Sequence, residues 1–211
     1  MPAKSTPTDR RVKPETRLKI VMAARYLFWE CGFEATSVSD ILERAGVQSG
    51  SFYYFFESKK ALLVAVLQFY LQAFDEEVVV PIFQTTTDPL ERIFGILKGY
   101  RNRIEASKCA YGCPIGRLAL EIDSNDEEVF SLIRANFSQW AKVICECLKA
   151  AGTPSRNLDY DSISRFVQVV MEGAVMQTRV YGDVSYFDSA VSQLRDYLNQ
   201  VFMALREPRV T

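Results

Sequence analysis

Residues 33–63 read FEATSVSDILERAGVQSGSFYYFFESKKALL, and the reading of this stretch decides the fold. Ser37 offers a side-chain acceptor suited to a helix start, and Asp40 three residues on resembles a capping box with Asp in place of Glu. A short helix over 38–45 is expected. Ala45-Gly46-Val47-Gln48 then makes a tight turn into a second short helix over 49–55 that carries Phe52, Tyr53 and Phe55. Two short helices joined by a glycine-containing turn have the layout of a helix-turn-helix, whose second helix enters the major groove with its N-terminal side chains facing base edges. Those side chains are Gln48, Ser49, Ser51, Tyr53 and Tyr54, with Gly50 allowing close backbone approach. Gln can bond adenine in a bidentate way, Ser can contact several bases, and an aromatic ring can touch a thymine methyl.

Working outward, residues 1–13 read as a flexible arm containing Pro2, Pro7 and the cations Lys4, Arg10, Arg11 and Lys13. Pro14 suits the first position of a helix whose apolar residues Leu18, Val21, Ala24, Leu27/Phe28 and Cys31 recur at helical spacing until Gly32 ends it. Ser58 caps the helix after the motif, with Leu62/Leu63, Val66, Tyr70 and Phe74 facing inward. The stretch Val78–Thr87 has strand-like composition, but Pro81 and the lack of a partner strand make it a connection. Further helices are expected from Asp88-Pro89 to about Ala106, from Pro114 to Ile122, from about 127 to a stop at Gly152-Thr153-Pro154, over 159–181 and over 187–205. The fold is therefore all-α, with about nine helices. The chain divides into the arm 1–13, a three-helix head over 14–60, and a larger helical body over 61–211.

Composition narrows the function. The chain has 211 residues, is 48% apolar and carries a net charge of −1. Residues 1–60 hold ten Lys/Arg against seven Asp/Glu, a net of +3, and the rest of the chain nets −4. A mildly basic head on an acidic body suits DNA contact at one end. Histidine is absent, which removes Ser-His-Asp and Cys-His catalysis. Cys31, Cys109, Cys113, Cys145 and Cys147 are odd in number and read as reduced thiols; their spacings are poor for zinc. No metal or other cofactor is implied. The longest apolar run, Ala61–Leu67, is far short of the about 20 residues that span a membrane. With no secretory signal pattern, the cytoplasm is the expected location.

The full string resembles the DNA-binding head of the TetR family of bacterial regulators. The resemblance covers residues 14–67 and includes Arg17, Ala24 to Phe28, Gly32, Thr36, Ile41, Ala45-Gly46-Val47, Gly50, Phe52-Tyr53, Phe56, Lys59 and Leu62. It implies that Gly46 makes the turn, that Phe52 and Phe56 fix the recognition helix, and that Thr36, Tyr53 and Lys59 contact phosphates. Bases are then read at Gln48, Ser49, Ser51 and Tyr54. It further implies a homodimer on a palindromic double-stranded operator, paired through a four-helix bundle built from the last two helices. The stripes available for that pairing include Ile163, Val170, Ala174 and Tyr181 on one helix and Leu194, Leu198 and Val201 on the other; both also suit the monomer's own core.

An apolar inducer cavity in the body is also implied, with Tyr100, Phe137, Trp140, Phe166 and Met176 as lining residues, although such a stripe is more often core. The segment Tyr111-Gly112-Cys113-Pro114-Ile115-Gly116-Arg117 resembles one found in NemR-like and AcuR-like members, which sense electrophiles or small unsaturated acids. On that basis Cys113, at the start of a helix whose dipole favours a thiolate, is a candidate sensing thiol, with Cys109 as resolving partner and Arg117 as helper or acid-binding cation. The competing reading of Cys113 is a small buried hydrophobe. The expected function is a DNA-binding transcriptional regulator, a repressor released by a small-molecule or electrophile inducer. The alternatives are a helical adaptor and a thiol-dependent enzyme.

Overall fold

The structure, a computed structural model, describes residues 7–152 and 158–203. Every regular element among the described residues is helical: α1 (Pro7–Glu30), α2 (Val38–Ala45), α3 (Phe52–Phe55), α4 (Lys59–Phe74), α5 (Val80–Thr85), α6 (Pro89–Ala106), α7 (Pro114–Glu121), α8 (Glu127–Ala150), α9 (Tyr160–Tyr181) and α10 (Ser185–Met203), with a 3-10 turn at Ser49–Ser51 and a π-helical turn at Asp75–Val79. The all-α expectation holds. No helix among the described residues is long and apolar enough to cross a membrane.

Several boundaries follow from end chemistry. Ser37 and Asp40 cap each other reciprocally: Asp40 N–H donates to Ser37 Oγ at 3.1 Å and Ser37 N–H donates to Asp40 Oδ2 at 2.9 Å. The Ser37 hydroxyl, which donates to Asp40 Oδ2 at 2.6 Å, and then the Ser37 N–H hold the Asp40 carboxyl below its ordinary range. Gly46 closes α2 in the left-handed region, φ 64°, with Val47 N–H donating to Leu42 O and Gly46 N–H to Glu43 O, the paired bonds of a Schellman stop. Asp88 accepts from Leu90 and Glu91 N–H to start α6. Ser58 Oγ accepts from Ala61 N–H at the start of α4.

Three sequence expectations need correction. The arm over 1–13 overlaps α1, which already runs from Pro7, a residue suited to a helix first turn; residues 1–6 lie outside the described residues. Most of the stretch Val78–Thr87 is no loop, because α4 continues without a break through the π-helical turn into α5, which ends at Thr85; only Thr86 and Thr87 belong to a connection. There Val80 N–H reaches back to Asp75 O, a turn wider than α-helical just before Pro81, so the ring that would clash with a normal preceding turn is accommodated. Val78, Ile82 and Phe83 pack against the body core, which outweighs the strand preference of a valine run. Finally, the expected head boundary at 60/61 cuts through α4.

Packing gathers the described residues into two compact units. The first comprises those up to Tyr70 together with Arg117–Ile133, and the second comprises Leu71–Gly116 and those from Arg134 onward. The first has a core of Ile20, Ala24, Phe28, Ile41, Phe52 and Leu62, all essentially without exposure. Residues 117–133 join it because Leu118, Val129 and Ile133 are buried and because Lys60 pairs with Asp126 at 2.8 Å and Glu128 at 3.3 Å. The second unit is built on Ile93, Leu97, Trp140, Ile144, Val167, Met171, Leu194 and Leu198. Its surface carries a bidentate Arg101–Asp188 pair and an Arg195–Glu91 pair whose guanidinium lies 3.7 Å from the Phe94 ring centroid.

Candidate functional site

The 3-10 turn and α3 form a short rigid projection. Gly and Ser are poor helix formers, so the 49–55 segment starts as a 3-10 turn and closes as a single α-turn. Phe52 is fully buried and anchors it, with Phe56 at 5.8 Å ring to ring and the Arg17 guanidinium over Phe56 at 5.1 Å. Outward from that anchor lie Gln48, Gly50, Tyr53 and Tyr54, all exposed, the tyrosines at 74% and 63%, with Ser51 half-buried. A side chain at Gly50 would meet no atom within 4 Å. The Ser49 side chain lies outside the described residues.

Thr36 and Lys59 are placed differently from expectation. Thr36 is 2% exposed, and its hydroxyl donates to Gly32 O at 2.6 Å. The Lys59 ammonium lies within donor range of three carbonyls, Phe33 O at 2.9 Å, Thr36 O at 3.1 Å and Glu34 O at 3.4 Å, and sits 4.3 Å from the Phe33 ring centroid. An ammonium has three donors, so Lys59 is occupied in holding the 33–36 turn. Both side chains bond main-chain groups in the free protein and position the corner that leads into α2.

Arg117 belongs to the same corner. Its Nε donates to Glu121 Oε1 at 2.7 Å, its Nη1 to Glu30 O at 3.2 Å and Trp29 O at 3.4 Å, and its Nη2 to Cys31 O at 2.6 Å. Glu121 Oε2 in turn accepts from Phe33 N–H at 2.7 Å. The pair satisfies the orphan carbonyls at the end of α1 and the Phe33 amide, three residues beyond it. Gly32 sits at φ 95°, a conformation that favours glycine, and a Cβ there would lie 2.4 Å from Glu121 Oε1 and so displace the Glu121–Arg117 pair. Arg117, expected as helper of Cys113 or binder of an acid ligand, is instead engaged with the Glu121 carboxylate and three main-chain carbonyls at the end of α1.

Cys113 is buried, the setting of the competing reading as a small hydrophobe. Burial, then the Glu172 carboxylate beside it, raise its thiol well above the ordinary range; the 3.4 Å bond from Gly116 N–H to Sγ opposes this more weakly. The two glycines flanking Cys113 are explained by α9. A Cβ at Gly112 would lie 3.1 Å from Val175 Cγ1, and one at Gly116 would lie 2.7 Å from Glu172 Oε2. Cys109 is also buried and sits at φ 62°. Burial raises the Glu172 carboxyl above its ordinary range, and its Oε1 is buried without a hydrogen-bond partner.

The other expected sensing residues do not converge on one site. Tyr100 lines a groove of about 490 Å³ between α5 and α6, and meets buried Trp140 edge-on at 6.3 Å. Phe137 lines a separate groove of about 400 Å³ between α8 and α9. Phe166 and Met176 are 45% and 57% exposed on the outer face of α9. The expected pairing stripes fare no better: Ile163, Ala174, Leu194 and Leu198 are buried in the monomer, Val170 and Val201 pack partly against the same core, and Tyr181 alone is exposed. An outward apolar seam of α9 runs through the exposed Phe166, Val169, Met176 and Val180 with half-buried Gly173 between them, at spacings of 3, 4, 3 and 4 residues. Tyr197 adjoins Phe166 at 5.4 Å, and Tyr186 stacks on Tyr181 at 4.4 Å. That heptad-like spacing was readable in the sequence but competed with the more apolar inward stripe.

Two family models match this chain: the TetR-family bacterial regulatory proteins over residues 20–66, and the C-terminal domain of LmrA/YxaF-like transcriptional regulators over 89–193. An uncharacterised helix-turn-helix regulator from Lactococcus lactis is 27% identical, over 88% of this chain and 94% of its own length. The transcriptional repressor DhaR of a Mycobacterium species is 27% identical over 78% of this chain and 82% of its own. Among solved structures, a TetR regulator from Chloroflexus aurantiacus superposes with a TM-score of 0.74 and 26% identity, covering 90% of this chain and 97% of that one. With both its helix-turn-helix and its body matched, this chain belongs to the TetR family of bacterial transcriptional regulators.

Proposed function

We propose that this protein is a repressor that reads a palindromic operator as a homodimer and releases it when a small molecule binds the body. The observation that carries the reading is the exposed set Gln48, Gly50, Tyr53 and Tyr54, with half-buried Ser51, mounted on the fully buried Phe52. Rigid mounting matters because base discrimination of about 1–3 kcal/mol per contact requires side chains held in register with the groove. In this reading Gln48 and Tyr54 read bases, Ser49 and Ser51 contact bases or phosphates, Tyr53 holds phosphate, and Gly50 lets the backbone approach. Thr36 and Lys59 act indirectly, by fixing the corner before α2. DhaR is a transcriptional repressor, and repression transfers here as part of the proposal.

The copies pair through the seam Phe166, Val169, Gly173, Met176 and Val180, where Gly173 has open space above it. Pairing places two heads on half-sites about one helical turn, ~34 Å, apart. The inducer is held non-covalently, because a buried thiol facing a carboxylate is a poor nucleophile.

The test is selection from random duplex DNA by the purified protein, followed by sequencing. A palindrome should be enriched, and Gln48→Ala should relax preference at one symmetric pair of positions. Enrichment of no motif would refute sequence reading and favour a helical adaptor.

A further inference from the structure

The groove between α5 and α6 has a chemistry of its own. Its apolar lining is Val78, Pro81, Ile82, Ile96 and Tyr100. Two glycines one turn apart on α6 shape it. At Gly95 the helices touch, since a Cβ there would lie 2.7 Å from Ile82 Cγ2; at Gly99 a Cβ would meet nothing within 4 Å, so the groove opens. The π-helical turn lies along the same groove and contributes Glu77 and Val78; such turns occur often at functional sites. The rim carries Lys98, Asn102 and Arg103, with Glu77 as the one carboxylate among the lining residues. Lys98 and Arg103 are exposed. The volume, about 490 Å³, falls within the range of small-molecule sites.

We propose that this groove binds an amphiphilic carboxylate, with the hydrocarbon on the Val78–Ile82–Ile96 lining and the carboxylate at Lys98 and Arg103. Two rim cations against one carboxylate favour an anionic head, and an apolar lining favours a chain over a compact polar acid. The proposal deepens the reading of the body as an inducer sensor; it rests on that reading for DNA release, and not for binding.

Full-length protein is titrated by calorimetry with decanoate, decanol and decyltrimethylammonium, three probes of equal chain length and different head charge. Decanoate is expected to bind one equivalent per chain at least about tenfold tighter than the other two, the size of one good charge-assisted contact. Gly99→Trp fills the groove from the open helix face, and is expected to abolish decanoate binding while leaving thermal unfolding and operator affinity as in the wild type. The double variant Lys98→Gln/Arg103→Gln is expected to bring decanoate down to the level of decanol. No decanoate binding, preference for the cationic probe, or equal binding by wild type and both variants overturns the proposal. Operator release is read separately. Binding without release keeps the groove as a carboxylate site and refutes decanoate-type inducers, whereas failure to bind any operator without probe refutes the repressor reading alone.

Discussion

The guanidinium of Arg117 ends α1 for a residue eighty-six positions earlier in the chain, at Cys31 O. Its side chain and that of Glu121 are only 21% and 24% exposed, so these charge-assisted bonds are little weakened by solvent. Arg117→Ala is therefore expected to lower unfolding stability by about 2–3 kcal/mol, read by urea denaturation. Inducer response per folded molecule should stay unchanged; its selective loss would restore a ligand-binding role for this residue. The thiols make a second case. Cys31 is exposed, and the other four cysteines are buried. Under native conditions at pH 7.5 iodoacetamide should label Cys31 first, with Cys113 reacting only as the protein unfolds. Labelling of Cys113 as fast as Cys31 would revive the electrophile sensor.

At the scale of elements, α9 has two apolar faces with different duties. The inner one, Val167, Met171 and Ala174, fills the body core with Leu194 and Leu198. The outer one is exposed. Two substitutions separate them. Val169→Glu should leave monomer stability within about 0.5 kcal/mol, as surface changes do, yet shift the protein to monomer in sedimentation and remove tight operator binding. Leu198→Ala should instead cost about 2–5 kcal/mol of stability, the usual range for a buried leucine. A Val169→Glu protein that remains dimeric would move the interface elsewhere. The continuous helix through Asp75–Val79 teaches a related lesson: a proline that forbids an ordinary helical turn is tolerated when the turn before it is widened and its neighbours are buried.

The whole molecule responds to conditions through few groups. Histidine is absent, so no imidazole titrates near neutrality. Burial raises the thiols of Cys113 and Cys147, the latter to about 11. A group whose pKa is raised on folding contributes stability that is complete below its unfolded value and is lost as pH rises through the folded value. Stability should thus fall from about pH 8.5 upward, and Cys147→Ala should shrink that fall although it lowers stability at pH 7. Thermal unfolding across pH 7 to 11 measures both. Operator affinity should drop with salt at a slope set by the few phosphates each small head reaches, while decanoate affinity should weaken much less.

The sequence by itself determined the local structure of the head. Ser37, Asp40 and Gly46 act within a few residues of their own positions, so capping and turn chemistry place α2 and the reading turn without knowledge of the rest. Helical periodicity likewise yielded the all-α fold and most helix ends in the body. What only the tertiary structure decided were the partners of long polar side chains and the direction each apolar stripe faces. Arg117, Lys59 and Glu121 bond to main-chain groups 23 to 88 residues away, and no local pattern encodes such a choice. The two stripes of α9 are both apolar at helical spacing; which one meets the core depends on where α10 lies. Cys113 could be read as reactive from its place before a helix, but its environment was set by burial and then by Glu172, fifty-nine residues on. Charge and burial are properties of neighbours in space, and those neighbours exist only once the chain has folded.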